Sequence, residues 1–75
     1  MLTANSLVRV KKIFPNWDKT LITRVGIVRK VYNPFQNVVV LAVEFPEYER
    51  GHKLGGMLNT NSGWYFLKEW TEVVV

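Results

Sequence analysis

The chain has no cysteine and a single histidine, His52. Without thiols there is neither a disulfide nor a thiolate metal site, and one imidazole falls far short of the roughly four ligands of a structural zinc. Absence of cysteine also fits a reducing compartment. Catalytic groups are equally scarce. His52 lies in a glycine-bearing stretch with no orienting acid beside it, so no Ser-His-Asp set is suggested. Glu47 and Glu49 flank Tyr48 and read as solvated loop carboxylates. Gly51-His52-Lys53-Leu54-Gly55-Gly56 lacks the Gly-x-x-x-x-Gly-Lys-Ser/Thr form and the following helix of a phosphate-binding loop. No catalytic residue, cofactor-binding residue or metal ligand is assigned, and the expectation is a protein that is not an enzyme.

Long apolar runs are missing too. None approaches the roughly 20 residues of a membrane-spanning helix. Met1-Leu2-Thr3-Ala4-Asn5-Ser6 lacks the basic start and apolar core of a secretory signal. The expectation is a soluble, cytoplasmic protein with no membrane partner. There is no repeat, no heptad, no low-complexity tract and no amphipathic stretch long enough for an α-helix. At 75 residues the chain holds one domain, with residues 1–5 as a loose N-terminus.

What remains is a succession of β-strand patterns. The organising stretch runs from Val25 to Phe45: two apolar arms rich in Val, interrupted by Asn33-Pro34 and Gln36-Asn37, as turn residues interrupt a hairpin. Before it, Ser6 to Ile13 alternates, with Val8 and Val10 on one face and Arg9 and Lys11 on the other, which is the period of a half-buried strand. Pro15 stops it, and Phe14 to Thr23 is a long loop. The second strand covers Ile22 to Tyr32, where Gly26 marks a bulge or a close backbone approach. The third covers Asn37 to Phe45; its second apolar face, Val38, Val40 and Ala42, needs a cover or offers a site for self-association. Glu47 to Ser62 is a second long connection. Trp64 to Leu67 is a short strand, Lys68-Glu69-Trp70 suits one 3₁₀ turn, and Thr71 to Val75 is a last strand.

Five short strands, two long loops and a late 3₁₀ turn describe an all-β chain, a small five-stranded SH3-like barrel. Closing the sheet would remove exposed edges. The order Leu7-Val8-Arg9-Val10, Val25-Gly26-Ile27-Val28 with Val31, Leu41-Ala42-Val43-Glu44-Phe45, Asn59-Thr60-Asn61 and Phe66-Leu67-Lys68-Glu69-Trp70-Thr71-Glu72-Val73 resembles the SH3-like barrels of photosynthetic electron-transport accessory proteins, of the photosystem I reaction-centre subunit type. It covers residues 7–74. The same Gly-x-Val and Val-x-Phe steps occur in other SH3-like barrels, including KOW-type nucleic-acid modules. Arg50 to Leu58 and Trp64-Tyr65-Phe66 depart from the photosystem pattern, and the resemblance implies a fold rather than a role.

Two functions compete. Ten aromatic residues are too many for so small a core, so some must lie at the surface. Phe45, Phe66 and one Trp fill the core on this reading. Trp17 in a polar loop and Tyr48 in an acidic one point outward, and with Met57, Leu58 and Trp64 they form the candidate surface for a protein partner of unspecified identity. That reading makes the chain a small accessory or regulatory protein, of the size of a phage-encoded regulator, with homo-oligomerisation as a further option. The alternative is nucleic-acid binding. The net charge of +4 divides into +6 over residues 1–30 and −2 over residues 31–75. Arg9, Lys11, Lys19, Arg24, Arg29 and Lys30 would meet phosphates while Tyr32 or Trp17 stacks on a base.

Overall fold

A computed structural model describes residues 3–74. The chain is all-β: five antiparallel strands joined by turns, with three single 3₁₀ turns and no longer helix among the described residues. The strands are β1 (Leu7–Val10), β2 (Val25–Phe35), β3 (Val38–Glu44), β4 (Gly63–Leu67) and β5 (Thr71–Val73). The 3₁₀ turns are Lys19–Leu21, Leu54–Gly56 and Lys68–Trp70, the last being the turn expected from the sequence.

The β2–β3 hairpin is the centre of the sheet, whose order is β4-β3-β2-β1-β5. Its reversal falls at Gln36-Asn37, with Asn37 at φ 65°, and β2 runs on through Asn33 and Pro34. Proline is tolerated there because the hairpin projects beyond β1, which pairs only with Val25 to Ile27. Phe35 at the tip is 73% exposed. The register skips Arg29: Val28 pairs with Val43, and Lys30 with Ala42. This bulge resets the alternation, so Gly26 and Val28 face the core before it, while Lys30 and Tyr32 face out after it. The bulged Arg29 turns its Nε to Glu44 Oε1 at 2.7 Å and donates to Asn5 Oδ1 at 3.1 Å. The Asn5 amide also donates to the Val28 carbonyl at 2.6 Å, which ties down part of the expected loose N-terminus. Met1 and Leu2, the rest of that segment's start, lie outside the described residues, as does Val75 of the expected last strand.

Gly26 therefore marks a close approach. A Cβ there would meet Val43 Cγ1 and come within 2.8 Å of two ring carbons of Phe45. The absence of a side chain lets the Phe45 ring pack directly against the β2 backbone. Phe45 and Phe66, both buried, meet edge to face at 5.7 Å amid Val8, Val10, Leu21, Val28, Leu41 and Val43. Each such side chain contributes about 1.5–3 kcal/mol by leaving water. The outer face of β3 is covered in part: Ala42 is fully buried between its cross-strand partners Lys30 and Tyr65, while Val38 and Val40 are half-buried.

The expected closed cylinder is not formed by hydrogen bonds. Among the described residues no ladder joins β4 to β5, so both strands are sheet edges. The 3₁₀ turn Lys68–Trp70 carries the chain from one edge to the other, and the Trp70 carbonyl accepts from the amides of Lys11 and Lys12 at 2.7 and 3.2 Å. Those bonds end β1 at Val10, short of the Ile13 expected from its pattern. Side chains occupy the gap that backbone pairing leaves.

Candidate functional site

The gap is filled by the loop after β1. Phe14 accepts the Trp17 amide at 3.0 Å, closing a turn over Pro15 and Asn16. Asp18 then caps the first 3₁₀ turn, accepting from Thr20 N at 3.0 Å and Thr20 Oγ1 at 2.7 Å. Between these anchors Trp17 swings under the β4 edge. Its ring packs edge to face on Trp64 at 5.2 Å, Phe66 at 5.8 Å, Trp70 at 5.8 Å and Phe14 at 5.1 Å. Phe14 also meets Trp70 at 4.8 Å and 86°. Such T-shaped contacts set the positive ring edge against the negative face, and add about 0.5–1.5 kcal/mol per pair beyond burial.

The aromatic surface continues around β4. Trp64 and Phe66 face inward, and Tyr65 and Leu67 face out. Tyr65 lies 6.4 Å from Tyr32, over which Lys30 Nζ sits at 5.0 Å. His52 stacks on Trp64 at 4.5 Å and approaches Tyr65 at 6.1 Å, held by its backbone bridge to Gly63. Where these surfaces meet, Phe14, Trp17, Val40, Tyr65, Phe66, Leu67 and Trp70 line a shallow groove of about 270 Å³. Every lining side chain is aliphatic or aromatic. Phe14 forms an exposed rim at 50%.

A polar cleft of about 460 Å³ lies beyond Asp18, lined also by Thr20, Arg24, Glu47, Tyr48, Glu49 and Arg50. The Tyr48 hydroxyl donates to Asp18 Oδ2 at 3.1 Å, and Arg50 Nη1 stands 3.4 Å from the same oxygen. The two hydrogen bonds from Thr20, helped by Tyr48 and Arg50, hold the Asp18 carboxyl below its ordinary range against the opposing effect of burial. Burial, then the hydrogen bond to Asp18, pushes the Tyr48 phenol up. The Arg24 guanidinium lies over the Tyr48 ring, 5.3 Å from its centroid, with Nε buried and unbonded among the described residues. A third groove, about 500 Å³, is formed by Arg29, Glu44, Met57, Leu58, Asn59 and Thr60. Among the described residues no three acidic or histidine side chains converge to hold a metal ion. Nor is any helix there long and apolar enough to cross a membrane.

The structure divides the sequence-derived protein surface. Trp17 and Trp64 touch, but both are half-buried and packed on the core. Tyr48 does not point outward: it is 6% exposed, its ring against Phe45 at 6.0 Å and its hydroxyl spent on Asp18. Its acidic neighbours Glu47 and Glu49 are exposed, and their polarity masked an inward side chain. Met57 is 45% exposed and Leu58 half-buried, both in the third groove.

The basic set is divided too. Arg9 pairs with Glu72 at 3.2 Å, Arg29 with Glu44, and Arg24 is committed to Tyr48. Lys11, Lys19 and Lys30 remain outside the ion pairs, in the loop after β1, the first 3₁₀ turn and β2 respectively, and only Lys30 adjoins Tyr32. Phe14, Tyr65, Leu67 and Trp70 were not singled out by sequence as site residues. The available signal was the surplus of aromatics over core volume; which ones surface depends on the open edge. No family model, no curated protein and no solved structure matches the chain.

Proposed function

We propose that the chain is a non-enzymatic binding module, a small accessory or regulatory protein that acts through protein–protein contact. The observation that carries this reading is the groove on the open side of the sheet, walled by Phe14, Trp17, Tyr65, Leu67 and Trp70 with no charged side chain among them. Aromatic side chains present large area at little cost in rotamer entropy, and they dominate the centres of protein interfaces. An SH3-like architecture belongs to the same proposal, and the five-stranded order with long loops on one side is compatible with it. Nucleic-acid binding has less support, because ion pairs and Tyr48 already engage Arg9, Arg29 and Arg24.

The test is an affinity pull-down after nuclease treatment, run with the wild type and with Phe14→Ser. Phe14 is a half-exposed rim residue outside the buried core, and circular dichroism of the variant checks that losing its ring contacts with Trp17 and Trp70 leaves the fold intact. The proposal expects a stoichiometric protein with the wild type and its loss with the variant. Recovery of nucleic acid alone, or equal recovery by both forms, refutes it.

A further inference from the structure

The backbone of β4 specifies how such a partner would be held. Gly63 exchanges both backbone bonds with His52 on the outer side of the strand, at 2.6 and 2.8 Å. Backbone groups alternate along a strand, so those of Tyr65 and the amide of Leu67 turn to the same side. Among the described residues no strand lies there. The segment that supplies His52 also bonds Gly51 to the Asn61 carbonyl at 2.8 Å, and it reaches no further along β4. A neighbouring strand is thus begun opposite residues 61–63 and left unfinished opposite Tyr65 and Leu67, beside the apolar groove.

Charge narrows the occupant. Lys53 follows His52 at one end of the open edge, and Lys68 follows Leu67 at the other. Lys11 and Lys12 are fastened to the Trp70 carbonyl at that second end. None of these four lysines takes part in an ion pair among the described residues, and Glu69 is the one acidic residue in the Lys68–Trp70 turn. Two copies of the chain pairing antiparallel across Tyr65 would set Lys53 of each against Lys68 of the other, and like charges facing across a ladder are destabilising.

Resting on the protein-binding reading above, we infer that the partner supplies an extended segment that adds to β4 as a sixth strand. It has small apolar residues at alternate positions to enter the groove and acidic residues at both ends. Backbone bonds to Tyr65 and Leu67 give affinity, and the Phe14–Trp70 wall gives side-chain selection.

The experiment uses the whole chain, labelled with ¹⁵N, and a short synthetic peptide that alternates Val and Thr between acidic ends. Three comparison probes go with it: the same peptide N-methylated on its edge-facing amides, a version with lysine ends, and a single-stranded oligothymidine. The inference expects the acidic peptide to slow amide exchange at Tyr65 and Leu67 by about tenfold or more. It expects N-methylation, which keeps every side chain, to weaken binding by about tenfold or more. Lysine ends should weaken it as well. Equal binding of the N-methylated peptide, with groove signals shifted but both amides unprotected, overturns strand addition and leaves the protein-binding reading intact. Protection that grows with protein concentration before any peptide is added assigns the edge to a second copy and overturns the inference. Protection by the oligothymidine alone, or no response to the acidic peptide, overturns it too; loss of the protein-binding reading itself is read separately from the pull-down.

Discussion

Replacing Gly26 by alanine tests the packing on which the sheet depends. The new methyl would meet Val43 Cγ1 and lie 2.8 Å from Cδ1 and Cε1 of Phe45. Carbon atoms in contact sit about 3.5–4.0 Å apart, so the Phe45 ring must retreat by about 0.7 Å or more. It has nowhere to go: Phe45 and Val43 are fully buried, and Phe66 and Tyr48 stand behind the ring at 5.7 and 6.0 Å. Overpacking of this kind costs about 1–3 kcal/mol. Alanine recovers about 0.4–1 kcal/mol by restricting the unfolded chain. With three atoms this close the cost lies in the upper part of that range, about 2–3 kcal/mol, and against a gain of up to about 1 kcal/mol the net expectation is a loss of about 1–2 kcal/mol. A chain of 75 residues has about 4–11 kcal/mol in all, so the loss is readily measured. Urea titration followed by tryptophan fluorescence is the assay, and the thermal midpoint should fall by about 4–15 °C. Val43→Ala removes one of the colliding atoms. The double variant should therefore be less unstable than the two single losses add up to, by about 0.5 kcal/mol or more. A Gly26→Ala protein as stable as the wild type, or strict additivity with Val43→Ala, would refute the close-packing account.

Three further outcomes follow from the same geometry. Tyr48→Phe deletes the hydroxyl that donates to Asp18 and should cost about 1 kcal/mol in urea unfolding, with no change in partner recovery. Asp18 titrates lower folded than unfolded, so its contribution is complete above about pH 3.9 and declines as pH falls below that value and through the folded pKa. Asp18→Asn should therefore flatten the acid limb of stability against pH, read by fluorescence between neutral and acid pH. Arg9→Ala breaks an ion pair whose side chains are both about half exposed, and unfolding should change by less than about 1 kcal/mol.

Several features of the fold are legible in the residues alone because their causes are local. Val8 and Val10 alternate with charged neighbours, and Lys68-Glu69-Trp70 is too short between strands for anything beyond a single turn. Phe45 and Phe66 are buried as their strand patterns require. The features that are hidden have tertiary causes. The bulge sits at Arg29 and not at Gly26; what singles out Arg29 is Glu44 and Asn5, which are distant in sequence. Gly26 has its other meaning, set by a Phe45 ring nineteen positions away. Tyr48 is inward because Asp18 offers its hydroxyl a partner within a turn that no period-2 pattern encodes. The open edge is the largest case. Strand patterns specify how many strands there are, whereas closure depends on whether β4 and β5 come within bonding distance, and here Trp17 and Trp70 gather between them. Phe14, Tyr65 and Leu67 gain their importance from that gap.

The most direct measurement is a two-dimensional ¹H–¹⁵N spectrum of the labelled chain, recorded alone and then saturated with the protein recovered after nuclease treatment. The account predicts that the indole signals of Trp17 and Trp70 and the amide signals of Tyr65 and Leu67 change together, while those of Arg24 and Arg50 in the polar cleft stay in place. Changes confined to that cleft, or to the Met57–Leu58 groove, with the Trp17 and Tyr65 signals unmoved, would contradict it.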